Sequence, residues 1–129
     1  MLAGDELTPS DRSRLERAIG IAQDVSGLVF SVYLTSAEGE GRTYALRLHG
    51  ALDEPDRSVL VLCDPDARVL EIVTGRAARR ALPDRMCALA AATMRSSFGA
   101  GDIVGGLWNG LTQLGEASRQ PRTLHGPTD

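Results

Sequence analysis

Three aspartates are the residues of this sequence best suited to chemistry. Asp64 ends an apolar run, Asp84 follows Pro83, and Asp102 follows Gly101. Hard carboxylate oxygens suit Ca²⁺ or Mg²⁺, so convergence of the three side chains predicts a divalent metal site and, with it, a weak metal-dependent phosphatase. The structural alternative is that Asp84 and Asp102 stand at helix starts, where a carboxylate stabilises free N–H groups.

The segment Asp64-Pro65-Asp66 suggests a second kind of phosphatase chemistry. It resembles the aspartyl nucleophile motif of haloacid-dehalogenase-type phosphatases, in which the first aspartate attacks and the second acts as an acid. The Ala67-Arg68 that follows lacks the expected threonine or valine, and the chain runs at once into another apolar segment. A hairpin turn is therefore the favoured interpretation, since Asp and Pro are turn residues.

Four arginines form a local basic cluster: Arg76, Arg79, Arg80 and Arg85. Guanidinium groups bind carboxylates and phosphates, so the cluster is a candidate site for an anion or an acidic partner. The alternative interpretation is a solvated helix face. If these arginines bind a carboxylate or a phosphate, the chain is predicted to be a small-anion sensor.

Other catalytic patterns are incomplete. No Gly-x-Ser-x-Gly elbow accompanies His49 or His125, so a hydrolase triad has no support. Cys63 and Cys87 match no metal or redox spacing and are predicted to be buried structural thiols. The sequence therefore favours a non-catalytic protein, and an acid-phosphatase-like hydrolase is the alternative.

The bulk properties describe one domain with little charge bias. The chain has 129 residues and a formal net charge of −3, and its length is typical of a single domain. Nothing in this charge pattern marks a nucleic-acid-binding protein. All 14 basic residues are arginine, which favours a high-GC bacterial source. No apolar run reaches the ~18 residues of a membrane span, and the first residues lack signal-peptide character, so the sequence predicts a cytoplasmic protein.

Residues 58–74 organise the predicted fold. Two β-prone runs flank a cluster of turn residues, which is the pattern of a β-hairpin. Residues 59–62 are apolar at every position, so the first strand is predicted to be covered on both faces. A β-prone run at 28–35 and a helical stripe at 42–52 precede it, giving a βαβ unit with parallel strands and a right-handed crossover. Glu71 in the last strand indicates an edge position or a partly solvated layer.

Helices complete a single α/β domain. The sequence predicts one helix from Thr8 to Ser26, a second that starts at Asp84, and a third that Asp102 caps. The predicted architecture has three layers: a small mixed sheet of three strands, with room for a short fourth, between helices on both faces. Its boundaries are 8–118, with an N-terminal tail at 1–7 and a flexible C-terminal tail at 119–129.

Several motifs resemble the TPM domain, the family of thylakoid lumen, photosystem repair and receptor-modulating proteins. They are Leu62-Cys63-Asp64, Arg68-Val69-Leu70-Glu71-Ile72, Leu82-Pro83-Asp84, and Phe98-x-x-Gly101-Asp102-x-x-x-Gly106-Leu107-x-x-Gly110. The match is closest to an actinobacterial branch described only as a domain of unknown function. The usual Gly-x-Gly-Leu-Glu segment reads Gly75-Arg76-Ala77-Ala78-Arg79 here, so an arginine replaces a carboxylate.

The resemblance implies an α/β fold and two functions. Plant members are described as acid phosphatases, and the family is often linked to the maintenance of protein complexes. The leading hypothesis is therefore a module that binds an unidentified protein partner or assists assembly, as a monomer or weak homodimer, without nucleic acid. The alternatives are the metal-dependent phosphatase at Asp64, Asp84 and Asp102 and the small-anion sensor.

Overall fold

The sheet has four strands in the order β1-β2-β3-β4, in a computed structural model that describes residues 1–4 and 6–121. The strands are β1 (Leu2–Ala3), β2 (Val29–Leu34), β3 (Ser58–Asp64) and β4 (Val69–Thr74). The first three are parallel, and β4 is antiparallel to β3 with Asp64 opposite Val69. This confirms the predicted mixed sheet, the hairpin and the edge position of β4.

The short fourth strand is β1, and it comes from the residues predicted as an N-terminal tail. Leu2 lies opposite Val32, and the backbone N–H of Val32 donates to the carbonyl of Met1. At the other end, the N–H of Gln120 donates to the carbonyl of Val25. Ordered contacts therefore extend beyond 8–118 on both sides, while residues 122–129 of the predicted C-terminal tail lie outside the described residues.

Within the described part of the chain, five helices surround the sheet. They are α1 (Pro9–Ser26), α2 (Gly41–Gly50), α3 (Ala78–Ala81), α4 (Asp84–Gly99) and α5 (Ile103–Ala117), with a 3-10 turn at Pro55–Arg57. The sequence signals at the first helix are confirmed, since the Thr8 hydroxyl accepts from the Asp11 N–H and Gly27 ends the helix with a φ of 74°. A left-handed residue at this position favours glycine. None of the described helices is long and apolar enough to cross a bilayer.

β3 is buried along its whole length because both of its faces are covered. Val59, Val61 and Cys63 pack with α1, α4 and α5 on one face. Leu60 and Leu62 pack with α2 on the other face. Alternate residues of a strand point to opposite sides, so the continuous apolar run produces two cores in three layers.

α4 and α5 approach each other at glycines of α5. A Cβ on Gly110 would lie 2.3 Å from the Met94 side chain, and one on Gly106 would lie 2.8 Å from that of Phe98. The sequence of α4 offers Ala88, Ala91 and Ala92 as small residues to receive these glycines, and Ala91 lies in the core. Ala88 and Ala92 instead face solvent, because α4 presents its larger side chains to α5.

Arginines from three helices cap the free edge of the sheet. The carbonyls of Leu70, Ile72 and Thr74 point away from β3 and accept hydrogen bonds at 3.2, 2.9 and 3.0 Å. The donors are the guanidinium groups of Arg95 on α4, Arg42 on α2 and Arg79 on α3. An exposed row of edge carbonyls invites another strand to pair, so these arginines block that route.

Candidate functional site

A cleft of about 380 Å³ opens at the carboxyl ends of β2 and β3. On one side it is lined by the connection from β1 to α1, and on the other by the start of the connection from β2 to α2. These two connections lead to helices on opposite faces of the sheet. A crevice where neighbouring strands send their connections to opposite faces is the usual ligand position in open α/β sheets.

The lining of this cleft carries negative charge. Four carboxylates contribute, and we call the site the acidic cleft: Glu6, Asp11, Asp64 and Asp66. None of the described residues that line it is basic. Negative charge concentrated in a cleft raises the local concentration of cationic groups, so the charge of this lining favours a guanidinium or an ammonium group as the ligand.

Asp64 is the buried member of the acidic cleft, with 6% of its surface exposed. Its Oδ2 accepts from the Ala37 N–H at 2.9 Å, and its Oδ1 accepts from the Ala67 N–H at 3.3 Å. One side chain thus fixes both the β2–α2 connection and the hairpin turn. A carboxylate has about four acceptor positions, so capacity remains on the cleft side.

A second cleft, of about 610 Å³, lies on the other side of the hairpin turn. Its rim carries Arg68 and Arg95, its floor is apolar, and none of the described residues that line it is acidic. We call it the basic cleft. Pro65 and Ile103 line both clefts and separate them.

The three candidate aspartates do not gather in one place. Asp102 accepts from the Gly105 N–H at 2.9 Å as the cap of α5, and Ile103 beside it lines the acidic cleft. Asp84 begins α4, whereas Phe98 near the end of that helix lines the basic cleft. A helix of 16 residues spans about 24 Å, so Asp84 lies at the far end of the domain from Asp64. A shared site of all three is excluded by this distance.

No alternative cluster replaces the predicted metal site. Within residues 1–4 and 6–121, no three His, Cys, Asp or Glu side chains are grouped closely enough to hold an ion. The observed role of Asp64 is to fix the hairpin turn, and the observed role of Asp102 is to cap α5. Binding of Ca²⁺ or Mg²⁺ by fewer protein ligands stays a prediction.

The arginine cluster lies at the amino-terminal end of α4, away from both clefts. Arg76, Arg79, Arg80 and Arg85 are all exposed. Arg79 donates to the carbonyl and the hydroxyl of Thr74, so it belongs to the capped edge. For the other three, the described part of the chain contains no carboxylate within ion-pair distance. Anion binding here stays a prediction.

The two cysteines are buried and unpaired by disulfide, as the sequence indicated. Burial raises the pKa of Cys63 to about 12, and the nearby Asp64 adds to the increase. Burial likewise raises the pKa of Cys87 to about 11, with a further contribution from Asp84. A thiol must ionise to act as a nucleophile, so both are unreactive at neutral pH.

His49 and Trp108 have structural roles, while the other histidine of the sequence, His125, lies outside the described residues. His49 is buried, and its Nε2 lies 3.0 Å from the carbonyl of Ser58. Trp108 packs against the larger core and lies under the Arg14 guanidinium, 5.8 Å from the ring centre. Sequence reasoning missed the basic cleft, whose only local signal is an arginine at the end of the hairpin turn.

Family comparison agrees with this picture of the fold. Residues 5–114 match a family described as a domain of unknown function, DUF5130. The chain belongs to this family. Among curated protein sequences, none matches this DUF5130 chain.

Two solved structures have a similar fold. The BA42 protein of the psychrophilic bacterium Bizionia argentinensis is 18% identical with a TM-score of 0.78, over 88% of this chain and 82% of that one. The N-terminal domain of the cg2496 protein of Corynebacterium glutamicum is 16% identical with a TM-score of 0.78, over 95% and 81%. Both support the fold alone. Neither comparison names the TPM domain, so that resemblance stays a prediction.

Proposed function

We propose that the chain is a non-catalytic binding module that takes a basic segment of a partner protein into the acidic cleft. The observation that carries this proposal is the position of the cleft, at the carboxyl ends of β2 and β3 and between the β1–α1 and β2–α2 connections, which lead to opposite faces of the sheet. Ligands in open α/β sheets bind at this kind of position. We also propose that the chain is a cytoplasmic, actinobacterial protein related to the TPM domain.

The charge of the cleft selects the ligand. Glu6 and Asp66 are exposed at its rim, Asp11 is half-buried, and Asp64 lies at its base. Arginine and lysine side chains form charge-assisted hydrogen bonds with carboxylates, and several such contacts add specificity for a basic segment. The hydrogen bonds of Asp64 hold the β2–α2 connection and the hairpin turn in place, which supports a preformed site.

Non-catalytic binding is the interpretation that the site residues support best. Asp64 is engaged by two backbone N–H groups, and the thiol pKa values are raised rather than lowered. Neither group has the features of an activated nucleophile. The phosphatase alternative would depend on a divalent ion held by the acidic cleft without Asp84. Metal-dependent turnover of para-nitrophenyl phosphate by the purified chain would favour that alternative.

Titration with charged peptides tests the proposal. A short arginine peptide should shift the amide NMR signals of Ser36 and Asp66, while a glutamate peptide of equal length should not. Each exposed charge pair contributes up to about 1 kcal/mol, so Asp66→Asn should weaken binding up to roughly fivefold. Added salt should weaken it further, because exposed charges are screened.

Asp84→Asn is the matched control, since it removes the same charge at the far end of α4. It should leave affinity for the arginine peptide unchanged. Equal weakening by the two variants would mean that the peptide follows net charge, and the proposed site would be wrong. Displacement of the peptide by Ca²⁺ or Mg²⁺ at the same amides would favour a metal ion as the ligand.

A further inference from the structure

The basic cleft has the size and lining of a small-molecule site. Val69 and Leu70 of β4, Phe98 of α4 and Ile103 of α5 supply apolar surface, and Arg68 and Arg95 supply the polar groups. Its volume of about 610 Å³ falls within the range of roughly 300–1,000 Å³ for ligand pockets. The site therefore has an apolar floor for the body of a ligand and a charged rim for its head group.

The two guanidinium groups of the rim have unused binding capacity. The Arg95 guanidinium donates to the carbonyl of Leu70 at 3.2 Å, which uses one of its five N–H donors. Among the residues that the structure describes, neither Arg68 nor Arg95 has a carboxylate within ion-pair distance. Two like charges on one cleft favour an anion between them, and arginine prefers carboxylate and phosphate oxygens.

Arg68 occupies a backbone conformation that disfavours arginine. Its φ is 56°, the only positive value at a described residue other than glycine. It closes the hairpin turn, and its N–H donates to the carbonyl of Pro65 at 3.2 Å. Glycine adopts this left-handed conformation without strain. Residues held in strained conformations cluster at functional sites. We therefore assign the occurrence of arginine at this strained position to a function of its side chain.

The neighbouring sheet edge argues against an extended peptide as the occupant. Peptides that bind beside an edge strand pair with its free carbonyls. In β4 those of Leu70, Ile72 and Thr74 already accept hydrogen bonds from arginines. A ligand of the basic cleft therefore has to be recognised through its head group and its apolar surface.

We propose that the basic cleft binds a small amphiphilic anion, with a carboxylate or phosphate head between Arg68 and Arg95 and an aliphatic or aromatic body on the apolar floor. The inference is independent of the proposed function, because it uses none of the carboxylates of the acidic cleft. Both clefts can therefore be tested separately on the same chain.

The test is an NMR titration of the full chain with decanoate, decyl phosphate, inorganic phosphate and decyltrimethylammonium. Decanoate or decyl phosphate should shift the amides of Leu70, Phe98 and Gly99, and the tighter of the two identifies the head group. Arg68→Gly should weaken this binding on the order of tenfold, since a hydrogen bond to a charged group is lost. The same variant should raise the midpoint of thermal unfolding, because glycine relieves the strained backbone.

Arg80→Gln serves as the control, because it removes an exposed arginine of the predicted cluster without touching the cleft. It should leave decanoate affinity unchanged. Equal binding of decyltrimethylammonium, equal binding of inorganic phosphate alone, or equal weakening by Arg80→Gln would each overturn the proposal. So would an acidic peptide that shifts these amides while decanoate does not.

Discussion

Replacing Gly75 with alanine is expected to lower the free energy of unfolding by about 3 kcal/mol or more, at the upper end of overpacking effects. A Cβ at this position would lie 1.8 Å from the carbonyl oxygen of Pro55 and 2.6 Å from the carbonyl carbon of Asp56. These are backbone atoms, so no side-chain rotation can relieve the clash. The Gly75 N–H donates to the carbonyl of Ser58 at 2.9 Å, and this hydrogen bond holds the end of β4 against the start of β3.

Chemical denaturation of the variant measures this effect, and Gly20→Ala is the control. Gly20 lies inside α1, and a Cβ there would have no neighbour within 4 Å. Alanine in a helix interior is favoured over glycine by roughly 0.5–1 kcal/mol, so this variant should be more stable than the parent. If Gly75→Ala retained parental stability, the close approach of β4 to the 3-10 turn would be contradicted.

Leu62→Ala is expected to destabilise the fold by about 2–5 kcal/mol, the range for truncation of a fully buried leucine. Leu62 is 0% exposed and packs with Ala45 of α2. Its neighbour Val61 faces the larger core on the opposite side of the sheet. A large loss at Leu62 therefore shows that the smaller, α2-side layer is a packed core in its own right.

Leu46→Ala is the matched control for this measurement. Leu46 lies on α2 next to Ala45 but is 50% exposed, and surface substitutions usually change stability by no more than about 0.5 kcal/mol. Denaturant unfolding of both variants at one pH separates the two positions. Equal effects at Leu62 and Leu46 would contradict the double coverage of β3.

The hairpin and the first helix were predictable because their signals are local. The uninterrupted apolar run of β3 specifies burial on both faces, and the turn residues from Pro65 specify where the chain reverses. Thr8, Pro9 and Gly27 define the ends of α1 through backbone chemistry within a few residues. In each case the structure confirms a prediction that could be made from neighbouring residues without knowledge of the tertiary fold.

The site was less predictable because its residues come from separate elements. Asp102 and Asp84 both stand at helix starts and look alike in sequence. In the structure, the helix start at Asp102 lies near the carboxyl ends of β2 and β3, whereas the one at Asp84 lies far from them. Strand β1 has two residues and exists only through its pairing with β2. The edge-capping role of Arg79 depends on a carbonyl of β4, which no local pattern of charge reveals.

Relaxation of amide protons by paramagnetic cosolutes of opposite charge tests the central claim, which is that the hairpin end of the domain carries an acidic and a basic cleft on either side of Pro65. The account predicts that a cationic nitroxide relaxes the amides of Ser36 and Asp66 more strongly than an anionic one does. It predicts the reverse for the amides of Leu70 and Gly99. The same preference on both sides of Pro65, or none on either side, would contradict the account.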